Sequence, residues 1–258
     1  MAEPQIDLPV LKGWRAEIGI LDPGNTLYRE WEIAAPEGVR FSRTVLGITE
    51  TTPEGLREMN KRIEAEAKKI NMAYKCDLIC LACTSGSFLE GPGYDQKIIE
   101  RIEKASGSPA TTTTTCVLEL FKDMGIKKVV LVGPYIDSLF DAEVKFFTAY
   151  GIKALYVKGS GLGISKPAEF RAYGTDPYAG YKLVKAGAKV DPTADCIFLT
   201  CTVSPLLGVA DVLEKEIGKP VISSNSATLY GMLKMLGIPD PVYHYGEALT
   251  RPRLPHQK

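Results

Sequence analysis

Histidine is scarce in this sequence. Only His244 and His256 occur, and His256 lies in a polar segment interrupted by proline. Metal sites and Ser-His or Cys-His catalytic pairs depend on imidazole groups, so this scarcity argues against both kinds of site. No Gly-x-Gly-x-x-Gly or P-loop pattern opens a helix either, which argues against nucleotide binding. The sequence therefore predicts a protein that uses no metal and no cofactor.

The chain also lacks a charge imbalance and a long apolar run. Its 31 basic residues balance 31 acidic residues, so no overall field attracts nucleic acid or an anionic membrane. No apolar run approaches the ~20 residues of a membrane-spanning helix, and residues 1–11 lack the pattern of a signal peptide. We expect a cytoplasmic protein that binds neither nucleic acid nor membranes.

Cysteine is too sparse for a disulfide framework, with six residues in a chain of 258. Cys76, Cys80 and Cys83 have the spacing of an iron–sulfur motif. A strand through this segment would, however, place Cys80 and Cys83 on opposite faces. All the cysteines except Cys83 and Cys201 are more simply explained as small core or helix-end residues.

Short β-branched apolar runs alternate with longer segments of helical period, a pattern typical of βα units around a parallel sheet. The predicted strands are 17–21, 44–48, 78–82, 110–113, 129–132, 154–157, 197–200 and 221–223. The predicted helices are 53–74, 94–106, 115–124, 138–149, 178–188, 205–217 and 226–236. Glycines suited to end four helices are Gly125, Gly151, Gly218 and Gly237.

An internal repeat is the most informative feature of the sequence. Residues 77–85, Asp-Leu-Ile-Cys-Leu-Ala-Cys-Thr-Ser, resemble residues 195–203, Asp-Cys-Ile-Phe-Leu-Thr-Cys-Thr-Val. Two further pairs of similar segments are 109–126 with 220–238 and 18–23 with 130–134. The repeat predicts an α/β fold of two pseudo-symmetric Rossmann-like halves, each a mainly parallel sheet flanked by helices, with the active site in the cleft between them.

The repeat also suggests where the halves divide. We place the first half at residues 1–115 and the second at residues 116–238. The C-terminal segment, residues 239–258, is expected to return to the first half.

Cys83 and Cys201 lie at equivalent strand ends, and small hydroxyl residues follow both of them. Because strand ends of open α/β sheets meet at the ligand cleft, we expect the two thiols to face each other across one site. Helix N-termini lower the pKa of nearby thiols, and their free N–H groups bind carboxylates. We therefore expect a local positive field that ionises one cysteine near neutral pH.

Other polar segments surround this predicted cleft. Residues 111–115 and 223–226 occupy matching positions after strands, where they either bind an anion or cap helices. Residues 86–92 and 172–178 have the composition of loops that close over a site. Asn25 and Tyr135 follow two other strands and are candidate amide and phenol donors to a substrate.

In their order and spacing, these motifs resemble the aspartate/glutamate racemase superfamily, and within it the branch of maleate cis-trans isomerase and arylmalonate decarboxylase. The motifs are residues 22–26, 82–85, 133–135 and 200–202, and the likeness extends over nearly the whole chain. The resemblance implies that Asn25, Cys83, Tyr135 and Cys201 match site residues of maleate isomerases. It also implies a homo-oligomer.

The sequence departs from each branch at one position. Arylmalonate decarboxylases keep the cysteine matching Cys201 but have glycine where this chain has Cys83. Maleate isomerases carry a further substrate-binding asparagine in the second half, and none lies around residues 163–165.

The leading hypothesis is a cofactor-independent isomerase or racemase of a small carboxylate or dicarboxylate, with Cys83 and Cys201 as the catalytic pair. The expected substrate-binding residues are Asn25, Thr84, Ser85, Tyr135 and Thr202. One alternative is an arylmalonate-type decarboxylase that uses Cys201 as proton donor. Another is a non-catalytic carboxylate-binding sensor.

Overall fold

The computed structural model describes residues 13–156, 163–176 and 178–253. Within them, two four-stranded sheets have the orders β2-β1-β3-β4 and β6-β5-β7-β8, and every strand pair is parallel. The strands are β1 (Ala16–Asp22), β2 (Val39–Val45), β3 (Leu78–Leu81), β4 (Ala110–Thr112), β5 (Lys128–Val132), β6 (Lys153–Tyr156), β7 (Cys196–Leu199) and β8 (Val221–Ser223). The second sheet repeats the order of the first, which confirms the predicted α/β fold of two related halves.

Helices flank both sheets. In chain order they are α1 (Arg29–Ala34), α2 (Pro53–Asn60), α3 (Ile63–Tyr74), α4 (Thr84–Phe88), α5 (Tyr94–Ser106), α6 (Thr113–Met124), α7 (Asp137–Ala149), α8 (Pro167–Thr175), α9 (Ala179–Gly187), α10 (Ala210–Ile217), α11 (Ser224–Met235) and α12 (Glu247–Thr250). A short 3₁₀ helix at Leu207–Val209 precedes α10. None of the helices in the described ranges is long and apolar enough to cross a membrane.

Strand register explains why the two halves place their cysteines equivalently. The last pair of β3 and β4 joins Leu81 to Thr112, and the last pair of β7 and β8 joins Leu199 to Ser223. Cys83 and Cys201 each follow two residues after the end of their strand. Side chains at the same step beyond matching strand ends are directed to corresponding places at the carboxyl edges of the sheets.

Two predicted elements of the first half have wrong bounds, and the helix expected at 205–217 is the 3₁₀ helix followed by α10, which begins at Ala210. The strand expected at 44–48 is β2, which ends at Val45, because the chain pairs with β1 from Val39 onward. The apolar residue Ile48 belongs to the loop that follows. The helix expected at 53–74 is two helices, separated where Arg62 donates hydrogen bonds to the carbonyl oxygens of Leu46 and Gly47.

The two segments predicted as closing loops are partly helical. Residues 86–92 begin inside α4, whose five residues are all buried. Residues 172–178 overlap the end of α8, and residue 177 lies outside the described residues, as does Val157 of the strand expected at 154–157. Short helices with few charged residues have the composition of loops, so propensity could not distinguish them.

Capping explains the polar runs that follow β4 and β8. The hydroxyl of Thr112 accepts a hydrogen bond from the amide of Thr115 at the start of α6, at 3.1 Å. The hydroxyl of Ser223 does the same for Ser226 at the start of α11, at 3.0 Å. Of the two interpretations of these runs, the structure shows helix capping.

The bounds of the two halves stay a prediction. Residue 115 lies inside α6, which packs closely on α11. Helix α12, in the C-terminal segment, contacts α11 and β8, while Asp240 in the same segment forms an ion pair with Arg15 next to β1.

Close packing of α6 on α11 leads to a prediction about stability. A Cβ atom at Gly231 of α11 would lie 2.5 Å from Sγ and 2.6 Å from Cβ of Cys116. Gly231→Val should therefore lower the free energy of unfolding by about 1–3 kcal/mol, because the helices must separate. Denaturant unfolding of Gly208→Val is the control, since Gly208 is exposed with open space around it. Equal stability of the two variants would contradict this close contact.

Candidate active site

All seven predicted site residues line one cavity at the carboxyl ends of the strands. They are Asn25, Cys83, Thr84, Ser85, Tyr135, Cys201 and Thr202. Four residues that were not predicted complete the wall: Pro23, Ile48, Thr51 and Phe170. The cavity thus joins loops after β1, β2, β3, β5 and β7 with helix α8, and its wall comes from both sheets.

Cys83 begins helix α4 as its N-cap. Its backbone is extended, and Sγ accepts a hydrogen bond from the amide of Gly86 at 3.2 Å. The hydroxyl of Ser85 lies 3.8 Å from the same sulfur atom. A Cβ atom at position 86 would lie only 2.9 Å from Sγ, so glycine there lets the amide approach the sulfur. The thiol is therefore held by donors that stabilise its anion.

Cys201 has a different backbone from its counterpart. Its φ angle is +80°, in the left-handed region that side chains other than glycine rarely adopt. The turn is fixed because the amide of Ser204 donates to the carbonyl oxygen of Cys201 at 3.0 Å. The amide of Val203 and the hydroxyl of Tyr135 lower the pKa of the Cys201 thiol and so favour its anionic form. The two repeat-related thiols thus have similar donors on dissimilar turns.

Three loops meet at the carbonyl oxygen of Ala82. The hydroxyl of Thr26 donates to it at 3.1 Å and that of Thr202 at 3.0 Å. The two hydroxyls also lie 3.2 Å from each other, and the amide of Leu27 donates to the carbonyl oxygen of Thr202 at 3.0 Å. These contacts fix the loops that carry Asn25, Cys83 and Cys201 relative to one another.

Asp22 shapes the loop that presents Asn25. One carboxylate oxygen of this fully buried residue accepts hydrogen bonds from the amides of Gly24 and Thr26, at 2.7 and 3.1 Å. The other oxygen pairs with Arg43 at 3.1 Å. Carboxylates that accept backbone amides close tight turns of this kind. Asn25 is half-buried at the cavity edge, where its amide group can reach a ligand.

Burial dominates the electrostatics of both thiols. It raises the pKa of the Cys83 thiol to about 11 and that of the Cys201 thiol to about 12. The expectation that one cysteine is ionised near neutral pH is therefore wrong for the site as the structure shows it. The predicted amide and hydroxyl donors are present, but the cost of placing a charge away from water exceeds what they contribute.

The cavity is narrow and very small. Its volume is about 20 Å³, and a single water molecule needs roughly 10–15 Å³. Phe170 of α8 lies over it, and the amide of Thr51 donates across the cleft to the carbonyl oxygen of Ser165 at 2.7 Å. A carboxylate substrate is larger than this space, so side chains that line the cavity have to shift before a substrate binds beside the thiols.

A larger chamber of about 320 Å³ adjoins the cavity. Four residues line both spaces: Pro23, Asn25, Ile48 and Phe170. Its wall is mostly apolar, and the exposed Arg171 of α8 lies at its edge. The chamber is the natural route to the thiols.

The four remaining cysteines are buried elsewhere, as predicted. Cys76 packs against Gly19 of β1, and Cys116 lies 3.4 Å from the hydroxyl of Thr111. Cys80 lies within β3 and Cys196 begins β7. In the described part of the chain, no cluster of three or more histidine, cysteine or acidic side chains is arranged to hold a metal ion.

Sequence patterns did not identify several residues that shape the site. Thr51 and Phe170 are brought to the cavity by chain folding alone, and their neighbours in sequence have no distinctive spacing. Glu143, by contrast, has a recognisable pattern: it is an acidic residue among the apolar positions of α7, and it is completely buried. A buried acid in an apolar stripe is unusual, and its place in the helical period is the signal that could have identified it.

The raised thiol pKa values lead to a prediction about reactivity. Without ligand, Cys83 and Cys201 should react with iodoacetamide at pH 7.5 about a hundredfold more slowly than in the unfolded chain, because the thiolate is the nucleophile. Their rates should still increase about tenfold from pH 9 to pH 10, whereas the rate of the urea-unfolded control should be half-maximal near pH 8.5 and level off above about pH 9.5. Mass spectrometry resolves each cysteine. A plateau below pH 8 for either would show that the donors outweigh burial.

Comparison with known proteins gives a consistent result. A model of the arylmalonate decarboxylase family matches residues 29–249. The maleate isomerase of Geobacillus stearothermophilus is 24% identical over 250 residues, which cover 90% of this chain and 96% of that enzyme. The arylmalonate decarboxylase of Bordetella bronchiseptica is 24% identical over 198 residues, covering 76% and 80% of the two chains.

Solved structures show the same fold. A mutant of the Nocardia farcinica maleate cis-trans isomerase with a covalently bound succinylcysteine intermediate has a TM-score of 0.77 and 25% identity, over 91% of this chain and 98% of that chain. These matches confirm the resemblance that the sequence motifs carried. Because the family model spans most of its length, this chain belongs to the arylmalonate decarboxylase family.

Proposed function

We propose that this protein is a cofactor-independent isomerase of a small carboxylate that uses Cys83 and Cys201 as its catalytic pair. The observation that carries the proposal is the meeting of two thiols, one from each repeat, in one narrow cavity with amide and hydroxyl donors. Maleate isomerases align with 90% of the chain, and one of them forms a succinylcysteine. Addition of a thiol to an alkene needs a sulfur nucleophile and a proton donor, and the two cysteines can supply both.

In the proposed reaction, one thiolate attacks an alkene carbon of a cis-configured unsaturated dicarboxylate. A sulfur–carbon bond forms, and the π electrons move to the neighbouring carbon and its carboxylate. The other thiol gives that carbon a proton, which leaves a single bond free to rotate. After rotation the proton returns, the sulfur–carbon bond breaks and the trans alkene forms. Atoms, protons and electrons balance over the cycle.

The donors around the cavity suit the developing charge. The Ser85 hydroxyl, the Asn25 amide group and the backbone amides of Thr84 and Thr202 are proposed to hold the carboxylate that receives the electrons, since the hydroxyls of Thr84 and Thr202 donate to Ser224 and Ala82. The Tyr135 hydroxyl is proposed to stabilise the anion beside Cys201. Donors fixed before the reaction lower the barrier most, and loss of one typically costs about 3 kcal/mol.

Cavity opening supplies a route to the thiolate. In the narrow cavity both thiols are neutral, because burial raises the pKa of each. We propose that one thiol ionises while the cleft is open and water reaches it, and that closure then traps the substrate beside the anion. Closing without water makes the thiolate more reactive.

A second candidate is decarboxylation of a disubstituted malonate. The observation that favours it is the mostly apolar chamber next to the cavity, which could take an aryl group, together with the match to the family model. In that reaction a carbon–carbon bond breaks, carbon dioxide leaves, and Cys201 protonates the resulting enediolate. Cys83 would then be dispensable.

The resemblance supports further proposals about the whole protein. We expect it to work as a homo-oligomer in the cytoplasm, with residues 1–115 and 116–238 as its two halves. Size-exclusion chromatography with light scattering measures the oligomeric state directly.

Proton NMR in deuterated water tests the two reactions. Wild type and the variants Cys83→Ala and Cys201→Ala are each incubated with maleate, substituted malonates, and chiral amino and hydroxy acids. We expect maleate to give the trans isomer, and each variant to lose at least about a hundredfold in kcat, because each thiol has its own step.

Cys196→Ala is the matched control, since Cys196 is a buried cysteine on the strand that leads to Cys201. It should keep the wild-type rate. Exchange of the α-proton of a chiral acid, lost in both variants, would indicate a racemase instead. Turnover that survives Cys83→Ala and releases carbon dioxide would establish the decarboxylase, and saturable binding without turnover would indicate a sensor.

A further inference from the structure

Glu143 occupies a place on α7 where an apolar residue is expected. The buried face of this helix consists of Leu139, Phe140, Glu143, Phe146 and Phe147, and the Glu143 side chain has no exposed surface. An acidic residue among aromatic neighbours loses its hydration on folding. Its presence there calls for a role that an apolar side chain cannot fill.

The contacts of Glu143 favour its uncharged form. Oε1 accepts one hydrogen bond, from the hydroxyl of Thr200 at 2.7 Å, and Oε2 has no partner. No basic side chain in the described ranges forms an ion pair with it. A buried carboxylate with one hydrogen bond and no cation is costly, and the protonated acid costs less because it carries no charge. In agreement, burial raises the pKa of Glu143 to about 8.

Thr200, the partner of this acid, is the residue immediately before Cys201. Its amide donates to the carbonyl oxygen of Val132 at 2.8 Å, and its own carbonyl oxygen accepts from the hydroxyl of Ser204 at 2.9 Å. Together with the hydrogen bond from its hydroxyl to Glu143, these contacts hold Thr200 at three points. The next residue has a φ angle of +80°, so the position of the thiol depends on how firmly Thr200 is held.

The titratable groups that face Glu143 belong to the site. Tyr135, which precedes α7, and Cys201, which follows β7, both have their pKa raised further when Glu143 is ionised. Helix α4, also packed on α7, begins at Cys83. On the side of β6, the hydroxyl of Tyr156 donates to Asp141 on the exposed face of α7. A charge on Glu143 would thus oppose any anion formed at Cys201.

We propose that Glu143 is a positioning residue of the site: as an uncharged acid it holds Thr200, and through Thr200 the strained Cys201 turn, without placing a negative charge behind the thiol. The inference rests on the proposed thiol chemistry. It predicts that ionisation of Glu143 switches the site off, so that activity falls on the alkaline side even though thiolate formation alone would make it rise.

The test compares Glu143→Gln with wild type from pH 6 to pH 10. Glutamine keeps the shape and an acceptor oxygen for Thr200 but cannot ionise. We expect kcat/KM within about threefold of wild type at pH 7, and a ratio of variant to wild type that increases about tenfold by pH 9.5, because the wild type alone acquires the charge. Glu143→Leu, which loses the hydrogen bond to Thr200, should lower kcat at least about tenfold at pH 7.

Asp141→Asn is the matched control, because it removes an acidic group from the exposed face of the same helix. Its pH profile should follow that of wild type. The proposal is overturned if Glu143→Gln has the wild-type pH profile, if it is folded but inactive at pH 7, or if Glu143→Leu is fully active.

A second measurement separates this proposal from the proposed function. Alkylation of Cys201 by iodoacetamide, followed by mass spectrometry, needs no substrate. At pH 9.5 it should be at least about threefold faster in Glu143→Gln than in wild type, since the thiolate forms more readily without the neighbouring charge. Absence of turnover in wild type with a faster alkylation in the variant would remove the proposed reaction and leave the electrostatic role of Glu143. Equal alkylation rates would overturn that role.

Discussion

The site depends on one buried carbonyl oxygen. Ala82 O accepts the hydroxyls of Thr26 and Thr202, and so joins the end of β3 to loops that follow β1 and β7. Both acceptor lone pairs are used, in a place where an unmade hydrogen bond would be costly. Since Cys83 is the next residue and Cys201 precedes Thr202, these two bonds set the relation of the thiols. The cleft is thus organised by backbone geometry as much as by side chains.

Exclusion of water determines the protonation states of the side chains around this carbonyl oxygen. Amide and hydroxyl donors surround both thiols, yet burial raises the pKa of each, and the same burial keeps Glu143 protonated. Both thiols and Glu143 are therefore mainly uncharged at physiological pH in this structure. Closing such a site strengthens every remaining electrostatic contact.

The duplication and the positions of the strand ends could be predicted from the sequence. The spacing from Asp77 to Cys83 equals that from Asp195 to Cys201, and the two sheets have the corresponding strand register. The residues that pack against the site from distant parts of the chain could not be predicted from the sequence. Phe170 reaches the cavity from a helix that looks like a loop, and Glu143 reaches Thr200 from 57 residues away. Periodicity reports which face of an element is buried, whereas contacts between distant elements are set only by the assembled fold.

The left-handed backbone of Cys201 has a consequence for how such a protein changes over generations. Glycine would occupy that turn without strain, while any side chain there costs on the order of 1–3 kcal/mol. Selection for stability alone would remove the thiol, and only selection for chemistry would retain it. Cys83 carries no such conflict on its extended backbone. The two equivalent thiols therefore differ in conformational cost, since glycine would relieve backbone strain at position 201 but not at position 83.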